Sequence, residues 1–190
     1  MKKNKAATDV AIIAIFFAIM LVINFLTSLV FKLWPVPIKP TLVHVPVIIA
    51  SIVYGPRIGA ILGGLMGIMS VTVNTLTLLP TSYLFSPFVE NGNFASLIIA
   101  LVPRILIGIT PYFVYKWLHN RTGLVIAGAI GSMTNTIFVL GGIFLLFSNV
   151  YNGNIQVLLA VVFGTNANAE MISSAILTLV LVPSLQKIKN

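Results

Sequence analysis

Long apolar segments separated by short polar breaks dominate this 190-residue chain. A helix needs about 20 mostly apolar residues to cross a hydrocarbon core about 30 Å thick, and several segments approach or exceed that length. The fold class predicted from this pattern is an all-α integral membrane protein, a compact bundle of six transmembrane helices forming one domain over residues 1–190. The predicted spans are residues 9–31, 42–54, 58–79, 95–116, 123–148 and 167–185.

The breaks between these segments carry the residues that end helices. Three prolines within residues 34–40 favour an extended connector, because proline fixes φ and removes a backbone donor. Gly55 and Pro56 separate the second span from the third. Residues 149–166 allow two interpretations, since a polar loop is followed by an apolar stretch too short to cross a membrane. That stretch is either an interfacial or re-entrant piece or an early start of the sixth helix.

Composition and charge agree with a membrane location and indicate an orientation. Charged residues make up 7% of the chain and the mean hydropathy is +1.08, values that exclude an ordinary soluble domain. In a model with the N-terminus inside, the outer connectors hold only Lys32 and Lys39. This bias predicts cytoplasmic termini in a multi-pass protein of the cell membrane, with connectors 32–41, 80–94 and 149–166 outside. The cations on the inner side are Lys2, Lys3, Lys5, Arg57, Lys116, Arg121, Lys187 and Lys189.

Several function classes lack the residues they need. The chain has no cysteine, no phosphate-binding GxxxxGK[ST] loop, no HExxH or GxSxG motif, and three carboxylates in all. We therefore expect no cofactor, no metal site, no nucleic-acid binding and no ATP hydrolysis by a familiar route. Two other classes stay open: a small membrane enzyme that uses Glu170 or His44, and a purely structural membrane subunit.

A stripe of alanines runs along the first helix. Its spacings of four, three and four residues place its members within an arc of about 60°. Small side chains allow another helix to approach closely in lipid, where apolar contact alone gives no net drive to associate. The partner is either a separate protein or another helix of the same chain. The members of this alanine stripe are Ala7, Ala11, Ala14 and Ala18.

Two further helices present small residues and one carboxamide on a single face. Gly59, Gly63 and Gly67 of the third span predict tight packing within the bundle, and Asn74 continues their face. Asn135 lies on the face of the fifth span that also carries glycines. A buried carboxamide must find partners or lose solvation energy, so both asparagines are candidate ligand-binding residues.

Arg104 and Glu170 are charges inside apolar segments. An unpaired arginine in hydrocarbon costs at least about 2.5–3.5 kcal/mol, so each must face protein, water or ligand. One hypothesis is an ion pair that joins the fourth helix to the sixth, and another is that Arg104 binds an anionic ligand. Asn166 and Asn168 precede Glu170 and are either helix caps or ligand-binding residues.

The outer connectors supply the remaining candidates. Lys39 is either an anchor at the headgroup level or a second cation for an anionic ligand. Tyr83 and Phe88 belong either to an interfacial aromatic belt or to a lid over the ligand. His44 without a second His, Cys or carboxylate nearby is weak evidence for metal.

Four short strings in order resemble the substrate-binding S components of energy-coupling factor (ECF) vitamin transporters, and the likeness covers nearly the whole chain. They are most similar to the pantothenate-specific branch, with folate and hydroxymethylpyrimidine binders nearby. The strings are His44-Val-Pro-Val-Ile-Ile-Ala50 with Tyr54-Gly-Pro-Arg-Ile-Gly-Ala60, Phe85-Ser-Pro-Phe88, Val102-Pro-Arg-Ile-Leu-Ile-Gly108 and Ser132-Met-Thr-Asn-Thr136.

The resemblance implies a membrane-embedded vitamin-binding subunit of an ABC-type importer. A transmembrane coupling protein and two cytoplasmic ATPases would be its partners and supply the energy, so the subunit itself would not be an enzyme. The alanine stripe matches the family's AxxxA docking motif. The favoured vitamin is pantothenate, with folate, hydroxymethylpyrimidine or riboflavin as alternatives. Candidate substrate-binding residues are Lys39, Asn74, Tyr83, Phe88, Arg104, Asn135, Asn166 and Glu170.

Overall fold

The computed structural model describes residues 5–33, 42–77, 81–147 and 155–189. These residues form α-helices joined by short connectors, with one turn of 3-10 helix, Ser82–Leu84, ahead of the fourth helix. The helices are α1 (Lys5–Leu33), α2 (His44–Tyr54), α3 (Pro56–Leu76), α4 (Phe94–Ile107), α5 (Thr110–Leu118), α6 (Arg121–Leu146) and α7 (Ile155–Lys189).

The prediction of an all-helical membrane bundle is confirmed in its coarse form. Within the described residues, five helical segments are long and apolar enough to span a membrane: α1, α3, α4 with α5, α6, and the part of α7 from Asn166. The predicted second span differs. Helix α2 has 11 residues, about 16 Å of helix, and all but the last are buried. It is a short helix enclosed by the others, because nearly all of its side chains are apolar and lie on every side of the helix.

The predicted fourth span is two helices in line. Helix α4 ends at Ile107, Gly108 bonds back to the carbonyls of Ile105 and Leu106, and α5 begins at Thr110. Pro111 explains the restart, since proline has no N–H to continue the preceding ladder and suits the first turn of a new helix.

Helix α7 settles part of the ambiguity at residues 149–166. It begins at Ile155, so the interpretation as an early start of the last helix is correct for residues 155–166, and residues 149–154 lie outside the described ranges. Asn166 and Asn168 lie about three turns inside this helix. The interpretation of these asparagines as caps is therefore wrong.

Helix α2 lies at the centre of the bundle and packs against α1, α3, α5, α6 and α7. The main hydrophobic core surrounds it, with Met20, Ile48 and Leu62 fully enclosed. A second, smaller core joins α4, α6 and the connector before α4 through Ile99, Ile143 and other apolar residues. The two clusters divide the bundle into a wide apolar end and an end covered by the 81–93 connector.

Helices α3 and α4 meet through glycine. A Cβ atom on Gly63 would overlap the carbonyl oxygen of Arg104, and one on Gly59 would overlap that of Gly108. Gly67 meets Ala100 in the same way one turn further along. The predicted role of these glycines in packing within the bundle is confirmed, and the resulting backbone contact fixes the height of Arg104 in the bundle.

Candidate functional site

The position of Arg104 follows from the proline that precedes it. Pro103 has no N–H to donate to the Ile99 carbonyl one turn back, which leaves that oxygen without its helical partner. The Arg104 guanidinium replaces the missing donor, with Nη1 2.6 Å from Ile99 O. The side chain thereby folds back along its own helix, and only 8% of the residue is exposed.

The rest of the guanidinium has a mixed environment. It lies over the Phe85 ring, 5.1 Å from the ring centroid, in a cation–π contact. Glu170 of α7 is also buried and close enough to interact electrostatically with Arg104. The Arg104 Nε atom is enclosed, and the described residues offer it no hydrogen-bond acceptor. A charged group thus keeps one N–H donor available in a site from which water is largely excluded.

Asn135 lies at nearly the same height as Arg104. Ile99 packs on Gly142 and Pro111 packs on Gly131, so α4 and α6 run antiparallel with Arg104 within about one turn of Asn135. The Asn135 Oδ1 atom is buried, and no donor among the described residues reaches it. A donor and an acceptor, both enclosed and unused, therefore occur at one level of the bundle.

The register between α6 and α7 brings Glu170 to the same level. Gly128 packs against Ser174 and Thr178 of α7, and Asn135 lies seven residues further along the same face of α6. Because the two helices run antiparallel, Asn135 lies level with the turn of α7 that contains Glu170. Arg104, Asn135 and Glu170 are the predicted residues that share one level, and we call them the polar cluster.

His44 forms a polar contact one turn deeper than Glu170. Its Nε2 lies 2.8 Å from Ser174 Oγ, and both residues are fully buried. Sequence reasoning treated His44 as weak evidence for metal and as a candidate for the alternative of a membrane enzyme, and missed its contact with α7. The available signal was the four-residue spacing of Glu170 and Ser174, which places both on one face of α7. No group of three or more potential metal ligands occurs among the described residues.

The connector of residues 81–93 covers the C-terminal end of α3 and the N-terminal end of α4 and is held by hydroxyl groups. Ser86 Oγ lies 2.6 Å from Thr75 Oγ1, and Ser82 Oγ donates to Thr77 O at 2.9 Å. On the other side Ser96 Oγ donates to Tyr83 O at 2.6 Å. These bonds fix the connector so that Phe85 reaches the Arg104 guanidinium.

Four other predicted residues lie away from the polar cluster or outside the described residues. The Tyr83 ring packs edge-on against Phe147, with centroids 5.9 Å apart, and Phe88 is 76% exposed. Asn74 donates to Ser70 O one turn back at 2.9 Å, and the α3–α4 register places it about three turns above Arg104. Lys39 lies outside the described residues.

Asn166 is nearer to the cluster. It is half-buried, one turn before Glu170 along α7. The aromatic residue that contacts Arg104 is Phe85, which sequence reasoning did not select as a site residue. Phe85 and Phe88 both occur in the Phe85-Ser-Pro-Phe88 string, and only the folded connector distinguishes the inward ring from the exposed one.

The alanine stripe lies on the outer surface of α1. All four residues are exposed, while Phe16 and Met20 of the same helix are buried in the core. Packing against another described helix of this chain therefore does not use the stripe. Its small side chains face the surroundings of the bundle.

Comparison with known proteins decides the family. A family model described as "ECF transporter, substrate-specific component" matches residues 8–182. The chain belongs to this family. The resemblance carried by the four strings is thus confirmed, and the chain is a non-enzymatic subunit for a small-molecule substrate that works with an ECF module.

Two curated relatives of this substrate-specific component carry a transport name. The chain is 48% identical over 195 residues to "Pantothenic acid transporter PanT" of Lactococcus lactis subsp. cremoris, an alignment that covers 100% of this chain and 99% of that protein. It is 29% identical over 113 residues to "Pantothenate transporter PanT" of Leuconostoc mesenteroides, covering 53% of this chain and 49% of that protein.

Proposed function

We propose that this substrate-specific component binds pantothenate at the outer side of the cell membrane and delivers it through an ATP-driven coupling module. The observation that carries the proposal is the 48% identity, over the whole length of both chains, to a protein named as a pantothenic acid transporter. An ECF substrate-specific component with so similar a sequence is expected to bind the same vitamin.

The polar cluster matches the functional groups of pantothenate. The vitamin is a monocarboxylate with hydroxyl groups and an amide, so it offers both acceptors and donors. Arg104 Nε is a buried donor without an acceptor among the described residues and suits the carboxylate, since charge-assisted bonds to guanidinium are short and strong. Asn135 Oδ1 is a buried acceptor that no donor in the described part of the chain reaches, and it suits a hydroxyl or amide N–H.

Glu170 and the Ile99 carbonyl, which Pro103 leaves without a helical donor, keep the guanidinium in place before the ligand binds. The bond from Nη1 to Ile99 O holds one end of the fork, and the charge of Glu170 offsets the cost of burying a cation. A preorganised donor loses little side-chain entropy on binding. In this proposal Arg104 contacts the ligand and Glu170 positions Arg104.

The proposed orientation places both termini in the cytoplasm. It rests on the excess of Lys and Arg in the connectors on the side of the termini, since such residues stay on the cytoplasmic side. The polar cluster and the 81–93 connector then lie toward the outer surface. Cysteine labelling of intact cells at either terminus tests this, and labelling by a membrane-impermeant reagent would contradict it.

We further propose that the alanine stripe docks the transmembrane coupling protein, whose ATPase partners supply the energy. The exposure of all four alanines supports this role, because small residues permit close helix contact in lipid. Ala14→Leu should abolish co-purification with the coupling protein and leave vitamin binding intact. Val30→Phe, exposed on the same helix about 18 Å from Ala18, is the control. Equal co-purification of both variants would contradict this docking surface.

A ligand screen tests the substrate. Purified protein in detergent is heated with each water-soluble vitamin, and pantothenate should raise the unfolding temperature while folate, riboflavin and hydroxymethylpyrimidine leave it unchanged. Vesicles containing this chain alone should not accumulate pantothenate, whereas vesicles that also contain the coupling protein and ATPases should do so with ATP. A shift with another vitamin only would overturn the substrate, and ATP-independent accumulation by the single chain would overturn the mechanism.

A further inference from the structure

A polar pocket lies at the end of the bundle opposite the polar cluster. It has a volume of about 460 Å³ and lies between the ends of α2, α5 and α7. Two lysines and a histidine line it, and none of its lining residues carries a carboxylate. Its main polar residues are Tyr54, Tyr112, Tyr115, Lys116, His119 and Lys189.

An apolar groove adjoins this pocket. It has a volume of about 420 Å³, runs between α1, α2 and α7, and is lined by aliphatic and aromatic residues. Tyr54 borders both spaces. On α7, Leu185 lines the groove and the next residue, Gln186, lines the pocket. The groove and the pocket therefore meet, with an abrupt change from apolar to polar walls.

We infer that the pocket and groove together bind an anionic phospholipid. The phosphate lies in the polar pocket between Lys116 and Lys189, and an acyl chain lies in the apolar groove. This combination favours a lipid over soluble phosphate, because inorganic phosphate has no apolar part that could occupy the groove. Basic pockets between helices at a membrane surface suit anionic headgroups.

The lysine contacts show how the pocket holds its charge. Lys189 Nζ donates to Val53 O at 2.6 Å and lies 5.6 Å from the centroid of the Tyr54 ring. One of its three N–H donors is used in that bond, so the others can meet a phosphate oxygen. Lys116 Nζ lies 6.0 Å from the centroid of the Tyr112 ring. Both ammonium groups lie over tyrosine rings that also line the pocket.

The surroundings of the pocket fit the headgroup level of a bilayer. Trp117 and Phe113 of α5 are 87% and 55% exposed, and aromatic residues are enriched where helices leave the hydrocarbon. Ile12 and Ile19 of the groove lie more than about 100° around α1 from the centre of the alanine stripe, whereas Ile15, which also lines the groove, lies beside Ala11. The groove and the stripe are therefore neighbouring surfaces of α1.

The inference is tested without any vitamin, so its outcome is separable from that of the proposed function. The full chain in detergent is titrated with phosphatidylglycerol, phosphatidylcholine or inorganic phosphate, and lipid retention is counted by native mass spectrometry. Phosphatidylglycerol should be retained and should raise the unfolding temperature more than the other two. In K116Q/K189Q that extra shift should fall by at least half, each shift being measured against the same variant without lipid.

Two controls make the result decisive. Lys187→Gln removes a nearby exposed cation of α7 outside the pocket and should keep the full phosphatidylglycerol shift. Ile19→Trp fills the groove and should lower retention, whereas Val30→Trp elsewhere on α1 should not. Equal shifts with phosphatidylcholine, an equal shift with inorganic phosphate, or equal losses in K187Q and K116Q/K189Q would overturn the inference. Unchanged retention of phosphatidylglycerol in K116Q/K189Q would also overturn it. An acidic segment of a partner protein would then be the better candidate occupant of the pocket.

Discussion

The α3–α4 interface and the interface between α4, α6 and α7 lie at the same level of the bundle and are packed in opposite ways. At the α3–α4 interface, Gly63 brings the two backbones into contact, leaving no space for a side chain. Between α4, α6 and α7, Arg104 Nε and Asn135 Oδ1 are buried without partners among the described residues. An unsatisfied buried polar group costs about 1–3 kcal/mol. The comparison indicates that the glycine interface provides rigidity and that the polar cluster keeps unused bonding capacity, which we propose serves the ligand.

The largest effect should come from adding one methyl group to the glycine interface. Gly63→Ala places a Cβ against the Arg104 carbonyl, a backbone atom that cannot move aside, and should lower the free energy of unfolding by about 3 kcal/mol or more. Gly64→Ala is the matched control, because nothing lies near the added Cβ. Thermal unfolding in detergent measures both. Similar stability of the two variants would show that the α3–α4 contact is loose.

Replacing the buried cation should be next in size. Arg104→Gln removes the charge-assisted bond to the ligand, worth about 1.5–3 kcal/mol, so the Kd for pantothenate should rise about 10- to 150-fold. Arg104→Lys keeps the charge but cannot bond Ile99 O and the ligand through one planar group, and should have intermediate affinity. Calorimetry measures the affinities. An unchanged Kd in the glutamine variant would assign Arg104 to the ion pair with Glu170 alone.

Asn135→Leu should separate binding from stability. The variant removes a buried acceptor that lacks a partner in the described residues, so the unfolding temperature without ligand should stay the same or rise. Loss of a neutral hydrogen bond should raise the Kd about 5- to 10-fold. Met133→Ala, exposed on the same helix, should leave the Kd unchanged. A strong loss of stability with unchanged affinity would make Asn135 a structural residue.

The smallest effect concerns the connector that joins the two interfaces. Ser86→Ala removes the bond to Thr75 and should cost about 1 kcal/mol of local order, so that pantothenate dissociates a few times faster. Glu90→Gln, exposed on the same connector, is the control. Stopped-flow exchange of labelled vitamin measures the rates. Equal rates would indicate that Phe85 stays over Arg104 without this hydrogen bond.

Prediction from the sequence succeeded where a single helix face carries the information. The glycine stripe of Gly59, Gly63 and Gly67 predicted close packing because small residues at four-residue spacing line one face, and the structure confirms it. Helix α2 shows the limit. Its hydropathy resembles that of a spanning helix, yet it is short and enclosed, since apolar side chains suit both lipid and a protein core.

The candidate site shows the same division. Arg104, Asn135 and Glu170 were predicted because polar groups in apolar helices need partners. Their common height depends on the registers between helices, which no local sequence pattern predicts. The contact of Phe85 with Arg104 and of His44 with Ser174 joins residues from distant parts of the chain. Only packing of the helices decides such contacts.

The sequence by itself determined an all-helical membrane bundle, the family, the alanine stripe and the buried charges that need partners. These follow from composition, helical periodicity and short strings, all of which are local. The tertiary structure decided that α2 is enclosed, that the alanine stripe faces outward, that Arg104 bonds the carbonyl freed by Pro103, and that a polar pocket meets an apolar groove at Tyr54. The physical reason is that burial and hydrogen-bond partners depend on which helices approach each other, and that choice is made by the whole bundle.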